Sequence, residues 1–205
     1  MASLEEVRSV GQSVWYDNIS RELLLSGEIA RLINVGVTGL TSNPSIFDKA
    51  ISDSSEYDED LKVLVQNGVD NKAIYESLAI EDIRSAADLL HDAYVSSNCK
   101  DGYACLEVSP LLAYDTDATI SEAQRLFKEL GKSNVMIKVP ATPEGIPAIR
   151  SLIGQGINVN VTLIFSLEAH RNVMEAYIAG LEDFDRNGGD ISKVASVASF
   201  FVSRL

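Results

Sequence analysis

Apolar positions along the chain fall into two alternating rhythms. Short runs rich in β-branched residues occur at 13–18, 37–43, 103–110, 135–141, 157–165 and 193–204, and these read as strands. Between them, 20–33, 80–96, 119–131, 143–154 and 166–184 carry apolar residues at i, i+3, i+4 and i+7, the mark of amphipathic helices. Start signals fit these helices. Thr119 and Glu122 have capping-box spacing, Thr142–Pro143 places a proline at a first helical position, and Ser166 with Glu168 opens the last helix. No repeat, low-complexity tract or linker divides the chain, so residues 1–205 are expected to form a single domain.

Such β/α alternation predicts a parallel sheet covered by helices, either doubly wound or closed as an eight-stranded barrel. No G-x-G-x-x-G or Walker loop follows any strand, which counts against the nucleotide-binding doubly wound folds. In "NVNVTLI" (158–164), Asn158, Asn160 and Thr162 share one face while Val159, Val161 and Leu163 share the other. Strands of an open parallel sheet are apolar on both faces, because helices cover both. One polar face suits a barrel strand pointing Asn, Asn and Thr into the lumen, and a sheet-edge strand with one wet face is the alternative.

The same parity raises a question about "NVMIKVPATPEG" (134–145). Lys138 shares a face with Met136, and Ile137 and Val139 share the other, so an ammonium points where a core would be expected. Desolvation disfavours an ammonium, and only a neutral amine attacks a carbonyl, so a lysine in a dry pocket suits Schiff-base formation with a ketose or aldehyde. A lysine that snorkels to solvent or pairs with a carboxylate is the plainer reading. Carboxylates occupy equally unusual places: Asp17 ends the first strand in "VWYDN" and Glu107 interrupts "ACLEVSP". Two acids converging on one lysine could move the protons that iminium formation and carbon–carbon cleavage require. Singly, Asp17 could cap the helix near Ser20, and Glu107 could form an ion pair. Asn43, before Pro44 in "TSNPSIF", could simply open a turn and a helix.

Charge and composition remove other classes of function. With 17 basic against 30 acidic residues the formal net charge is −13, and no basic cluster offsets it, so neither nucleic acid nor a membrane surface is an expected partner. The opening segment carries Glu5 and Glu6 and lacks an apolar signal region, so a cytoplasmic location is expected. Cys99 and Cys105 lack C-x-x-C spacing, and His91 and His170 lie far apart in helical patterns, so neither a disulfide framework, a metal site nor a Ser/His triad is expected.

The segments "WYDNISREL", "GLTSNPSIFDKAI", "LEVSPLLAYDTDATI", "MIKVPATPEGIPAI", "INVNVTLIFSLEAHRNVMEAYIAGLE" and "SVASFFVSR" occur in order at the ends of six candidate strands. Together they resemble the transaldolases, particularly the longer bacterial and plant-type branch, over essentially the whole chain. The resemblance implies a (β/α)8 barrel and a cofactor-free, metal-free Schiff-base mechanism. It also implies transfer of a dihydroxyacetone unit from sedoheptulose 7-phosphate to glyceraldehyde 3-phosphate in the pentose phosphate pathway, with sugar phosphates as the small-molecule partners. By the same resemblance, Lys138 is the Schiff-base lysine and Asp17 the acid that takes the hydroxyl proton during cleavage. Glu107, with the hydroxyl of Thr162, positions a catalytic water. Asn43 and Asn160 hold the ketose hydroxyls and the covalent intermediate, and Ser199 and Arg204 lie near substrate hydroxyls and phosphate. Six strands are visible where a closed barrel has eight and typically ~250 residues, so the expected fold is the first six β/α units of such a barrel. A related class I aldolase and an inactive fragment stay open as alternatives.

Overall fold

A computed structural model describes residues 4–204, with the backbone alone for Glu5 and Arg204. The chain folds as two compact units, one covering the residues up to Leu106 together with Lys132–Asn134, the other Glu107–Gly131 and the residues from Val135 onward.

The first unit contains α1 (Leu4–Ser9), β1 (Trp15–Tyr16), α2 (Arg21–Leu25), α3 (Glu28–Asn34), β2 (Gly39–Leu40), α4 (Pro44–Asp53), α5 (Asp58–Gln66), α6 (Asn71–Ser96) and the body of β3 (Ala104–Glu107). Its strands run parallel, with Tyr16 opposite Leu40 and Leu40 opposite Ala104. Side-chain caps set where the helices begin. Ser20 accepts the Leu23 N–H at the start of α2, Asn43 accepts the Ile46 N–H ahead of Pro44 in α4, and Asp70 takes two amides at the start of α6. One helix is predicted over 20–33, but Gly27 adopts a left-handed φ of 79° and divides it into α2 and α3. The core is built from Ile19, Ile29, Leu40, Phe47, Ile83, Leu90 and Tyr103, with Tyr57, Ile74 and Leu78 as a further cluster.

The second unit contains Glu107 at the end of β3, then α7 (Thr116–Leu130), β4 (Val135–Pro140), α8 (Gly145–Ile153), β5 (Val159–Ile164), α9 (Leu167–Arg186) and β6 (Ser196–Phe200). Here β5 lies between β4 and β6, both parallel to it, with Lys138 opposite Asn160 and Pro140 opposite Thr162. An edge position for "NVNVTLI" is thereby ruled out. Ile137, Val139, Val159 and Val161 are fully buried, as are Ala148, Ile149, Leu152 and Ile153 on α8. A parallel sheet requires such covering.

Three predicted helix starts move: α6 begins at Asn71, nine residues before the predicted start at 80, behind the Asp70 cap. Asp115 caps α7 by accepting the Ala118 N–H, so the helix begins three residues before Thr119. Thr119 lies inside it and donates its hydroxyl to the Leu112 carbonyl, while Glu122 accepts the Ser109 N–H at 2.7 Å. Likewise α8 begins at Gly145 rather than Pro143, because Thr142 Oγ1 accepts the Gly145 N–H and donates to the Ala113 carbonyl, holding the preceding residues in a turn. Ser166 caps α9 as expected, accepting the Ala169 N–H at 3.1 Å.

Six strands run in sequence among the described residues, and helices follow each of β1 to β5. The class is α/β, and the order is that of the first six β/α units of a (β/α)8 barrel. No helix among the described residues is long and apolar enough to cross a membrane.

Candidate active site

Asp17 and Asn43 follow β1 and β2 and Glu107 ends β3, where parallel β/α folds place their chemistry, whereas Lys138 lies within β4 and Asn160 is the second residue of β5. In the second unit, Lys138 is 6% exposed in a strand whose six residues are all buried. Its Nζ lies 3.4 Å from Oε2 of Glu107, whose side chain is 14% exposed. The backbone keeps this pair in register, since the Val108 N–H donates to the Lys138 carbonyl at 3.1 Å. The ion pair raised as the plainer reading for both residues is therefore present, and it unites the same two groups that the Schiff-base reading requires.

The next strand adds neutral polar groups. Asn160 is fully buried opposite Lys138, and its Oδ1 accepts the Ser199 hydroxyl of β6 at 2.9 Å. Thr162 is buried two residues on, its carbonyl accepting the Ala141 N–H at 2.8 Å. Asn158, earlier on the same face, does something else. Its amide donates to the Val135 carbonyl and its Oδ1 accepts the Ala195 N–H, so it links strands rather than facing a ligand. Directly after Thr162 the strand bulges. Leu163 takes a left-handed φ of 60°, and the pairing passes from Val161 opposite Ala198 to Ile164 opposite Phe200, one extra residue on β5. Ile164 is consequently buried and Leu163 is 44% exposed.

In the first unit, Asp17 follows β1 and accepts the hydroxyl of Thr41. It does not cap α2, because Ser20 does. Asn43 acts as the cap of α4 through Oδ1, so the helix-opening role suggested for it is realised. Asp17 and Asn43 line one cleft of about 530 Å³ together with Asn18, Ser45 and Lys49. The side chain of Arg204 lies outside the described residues.

Other participants escape the motifs. Thr41, the partner of Asp17, is one hydroxyl in a common strand-end pattern and carries no distinguishing signal. Arg21, Tyr57 and Asp82 form a buried network behind the Asp17 turn. A signal for it exists: Asp82 falls on the stripe of Ala79, Ile83, Ala86 and Leu90, an acid on an apolar helix face.

The sequence model of the transaldolase/fructose-6-phosphate aldolase family matches residues 14–205. A "Transaldolase 2" of Nostoc sp. is 51% identical over 203 residues, which is 98% of this chain and 53% of the relative. Proteins named "Transaldolase" from Trichodesmium erythraeum and Saccharopolyspora erythraea are 48% and 46% identical, covering 98% and 100% of this chain and 53% and 56% of their own lengths. The chain thus spans about half the length of the curated relatives it matches. With the family's pattern matched from residue 14 to the end and close to half of all positions identical to named relatives, the chain belongs to the transaldolase/fructose-6-phosphate aldolase family.

Proposed function

We propose that the protein is a transaldolase that transfers a dihydroxyacetone unit from sedoheptulose 7-phosphate to glyceraldehyde 3-phosphate through a Schiff base on Lys138. The observation that carries this reading is the buried amine of Lys138 with its carboxylate neighbour Glu107 at 3.4 Å. An amine and an acid so placed can exchange the protons of carbinolamine chemistry without recruiting either from bulk water.

The steps balance as follows. The neutral amine of Lys138 adds to the ketose carbonyl, and the carbinolamine loses water with proton transfer through Glu107, which acts with the Thr162 hydroxyl on that water. Asp17 removes the proton from the hydroxyl beyond the bond to be broken. The electron pair of that carbon–carbon bond moves into the iminium, giving an enamine and releasing the shortened aldose. The enamine then attacks the acceptor aldehyde by the reverse sequence, and hydrolysis frees the lysine. Asn160, oriented by Ser199, supports the three-carbon unit, and Asn43 can offer Nδ2 protons while its Oδ1 stays on the helix cap. Arg204 supplies a positive charge for phosphate in a chain of net charge −13.

Borohydride reduction in the presence of fructose 6-phosphate tests this reading. A reduced three-carbon or six-carbon adduct on Lys138 is expected, and it should vanish in Lys138→Ala. No adduct on the wild type, or an adduct that persists in the variant, overturns the assignment. The family description also names fructose-6-phosphate aldolase. A coupled assay with and without erythrose 4-phosphate separates transfer from simple cleavage.

A further inference from the structure

Behind the Asp17 turn lies an ionic network that takes no part in the chemistry above. Arg21, the first residue of α2, is 9% exposed. Its Nε donates to Asp82 at 3.0 Å, one terminal nitrogen to Glu81 at 2.9 Å, and the other to Asp60. The guanidinium lies over the Tyr57 ring, 4.8 Å from its centroid. The Tyr57 hydroxyl then closes the network twice, donating to the second Asp82 oxygen at 2.7 Å and accepting the backbone N–H of Arg21 at 2.8 Å. Tyr57 and Asp82 therefore grip both the side chain and the main chain of one residue.

Stability alone does not call for such an arrangement, since apolar packing of equal volume commonly serves as well as a buried ion pair. What a satisfied polar network adds is direction. That direction falls on a short span. Tyr16 is held by the Thr41 N–H, which donates to its carbonyl at 2.9 Å, and only four residues separate Tyr16 from Arg21. Asp17 is the first of them, and Ile19, fully buried, pins the middle. Asn18 folds back locally, its Oδ1 accepting the Ile19 N–H at 2.9 Å. Fixing Arg21 in place and direction thus fixes the far end of a turn whose near end is locked in the sheet.

We infer that the Arg21–Tyr57–Asp82 network is a positioning device for Asp17, holding its carboxylate where it removes the hydroxyl proton in carbon–carbon cleavage. The inference rests on the proposed Schiff-base reading. It also separates two partial reactions. Formation of the iminium depends on Lys138 and Glu107, whereas cleavage depends on Asp17, so a fault in the network should slow the second and spare the first.

Tyr57→Phe keeps the ring beneath the guanidinium and removes only the hydroxyl. Single-turnover cleavage of fructose 6-phosphate, followed by release of glyceraldehyde 3-phosphate, should fall about 10- to 100-fold, as expected when a catalytic group is misplaced by ~1 Å. The rate of borohydride trapping on Lys138 and the KM for the ketose should stay at wild-type values. A structural role alone would lower trapping and cleavage together, in proportion to the unfolded fraction seen by circular dichroism. Should Tyr57→Phe fail to fold, Glu81→Ala decides, since Glu81 is 63% exposed and its truncation frees one guanidinium N–H without opening the core. Slower cleavage with unchanged trapping in that variant supports the inference, and equal cleavage in a folded variant overturns it. A wild type that traps no ketose sinks the Schiff-base reading and with it this one; a wild type that traps normally beside a Tyr57→Phe variant that cleaves normally sinks only the positioning role.

Discussion

Replacing Glu107 with Gln preserves its shape and removes the charge facing Lys138. At 3.4 Å, and with an effective dielectric near 20, the attraction between the two groups is about 5 kcal/mol. Desolvating side chains that are 7% and 14% exposed offsets much of that gain, so the pair adds far less to net stability than its Coulomb energy. Removing one partner is another matter, because the remaining charge keeps its desolvation cost, typically about 3–5 kcal/mol. The carboxylate retains some access to water, so Glu107→Gln should cost about 3 kcal/mol and Lys138→Met about 2 kcal/mol. Removing both charges together should cost less than the sum, with a coupling of about 2 kcal/mol. Urea unfolding of the four proteins at one pH, with m-values compared to exclude a change in the unfolded state, measures that coupling. If the two losses add to within about 0.5 kcal/mol, the groups do not interact in the folded protein, and the proton exchange drawn between them loses its basis.

Gly145→Ala should destabilise the second unit by about 1–3 kcal/mol or more, because the new Cβ would lie 2.0 Å from the Pro140 carbonyl oxygen and the backbone would have to give way; a variant with an unchanged thermal midpoint refutes this. At Leu163 a left-handed residue costs about 1–2 kcal/mol, so Leu163→Gly should leave stability unchanged or raise it slightly, while Leu163→Val should lower it. Urea midpoints in the opposite order would remove strain from the description of the bulge. Burial pushes the Asp82 carboxyl up from its ordinary value, and the Tyr57 hydroxyl and Arg21 offset only part of the rise. The folded chain thus holds that proton more tightly than the unfolded chain, and wild-type stability relative to Asp82→Asn should fall as pH rises from about 4 through the folded value. A difference that stays constant between about pH 4 and 7 contradicts this sign.

The β/α order was legible because the five helices and strands β2 to β5 bury a face, which periodicity records, while β1 and β6, without a buried residue, show only in their β-branched and aromatic content. Where burial is slight the pattern fades: α5 has no buried residue and the span around it passes unnoticed, and α2 and α3 read as one helix because Gly27 interrupts the backbone without interrupting the apolar stripe. The boundary errors at α7 and α8 share a cause. Thr119 and Thr142 are both suited to capping, but tertiary contacts engage their hydroxyls elsewhere, with Leu112 and Ala113 accepting from them. Strand parity set Lys138 and Asn160 each on the face away from their apolar neighbours, and an acid in an apolar run made Glu107 a candidate partner, but only the sheet register brings Lys138 opposite Asn160. It could not foretell that Asn158 is spent on the sheet, because an amide that faces a ligand and one that faces two backbones look alike in one dimension.

Asn158 carries one more consequence. Its donor and its acceptor are both satisfied by main-chain groups on either side, the Val135 carbonyl and the Ala195 amide. Peeling away either flank would break a buried hydrogen bond of that amide, at a cost that disfavours partial fraying. The segments around 135, 158 and 195 should therefore open as one cooperative block, and deuterium should enter their amides with a common free energy instead of progressively from the last strand inward.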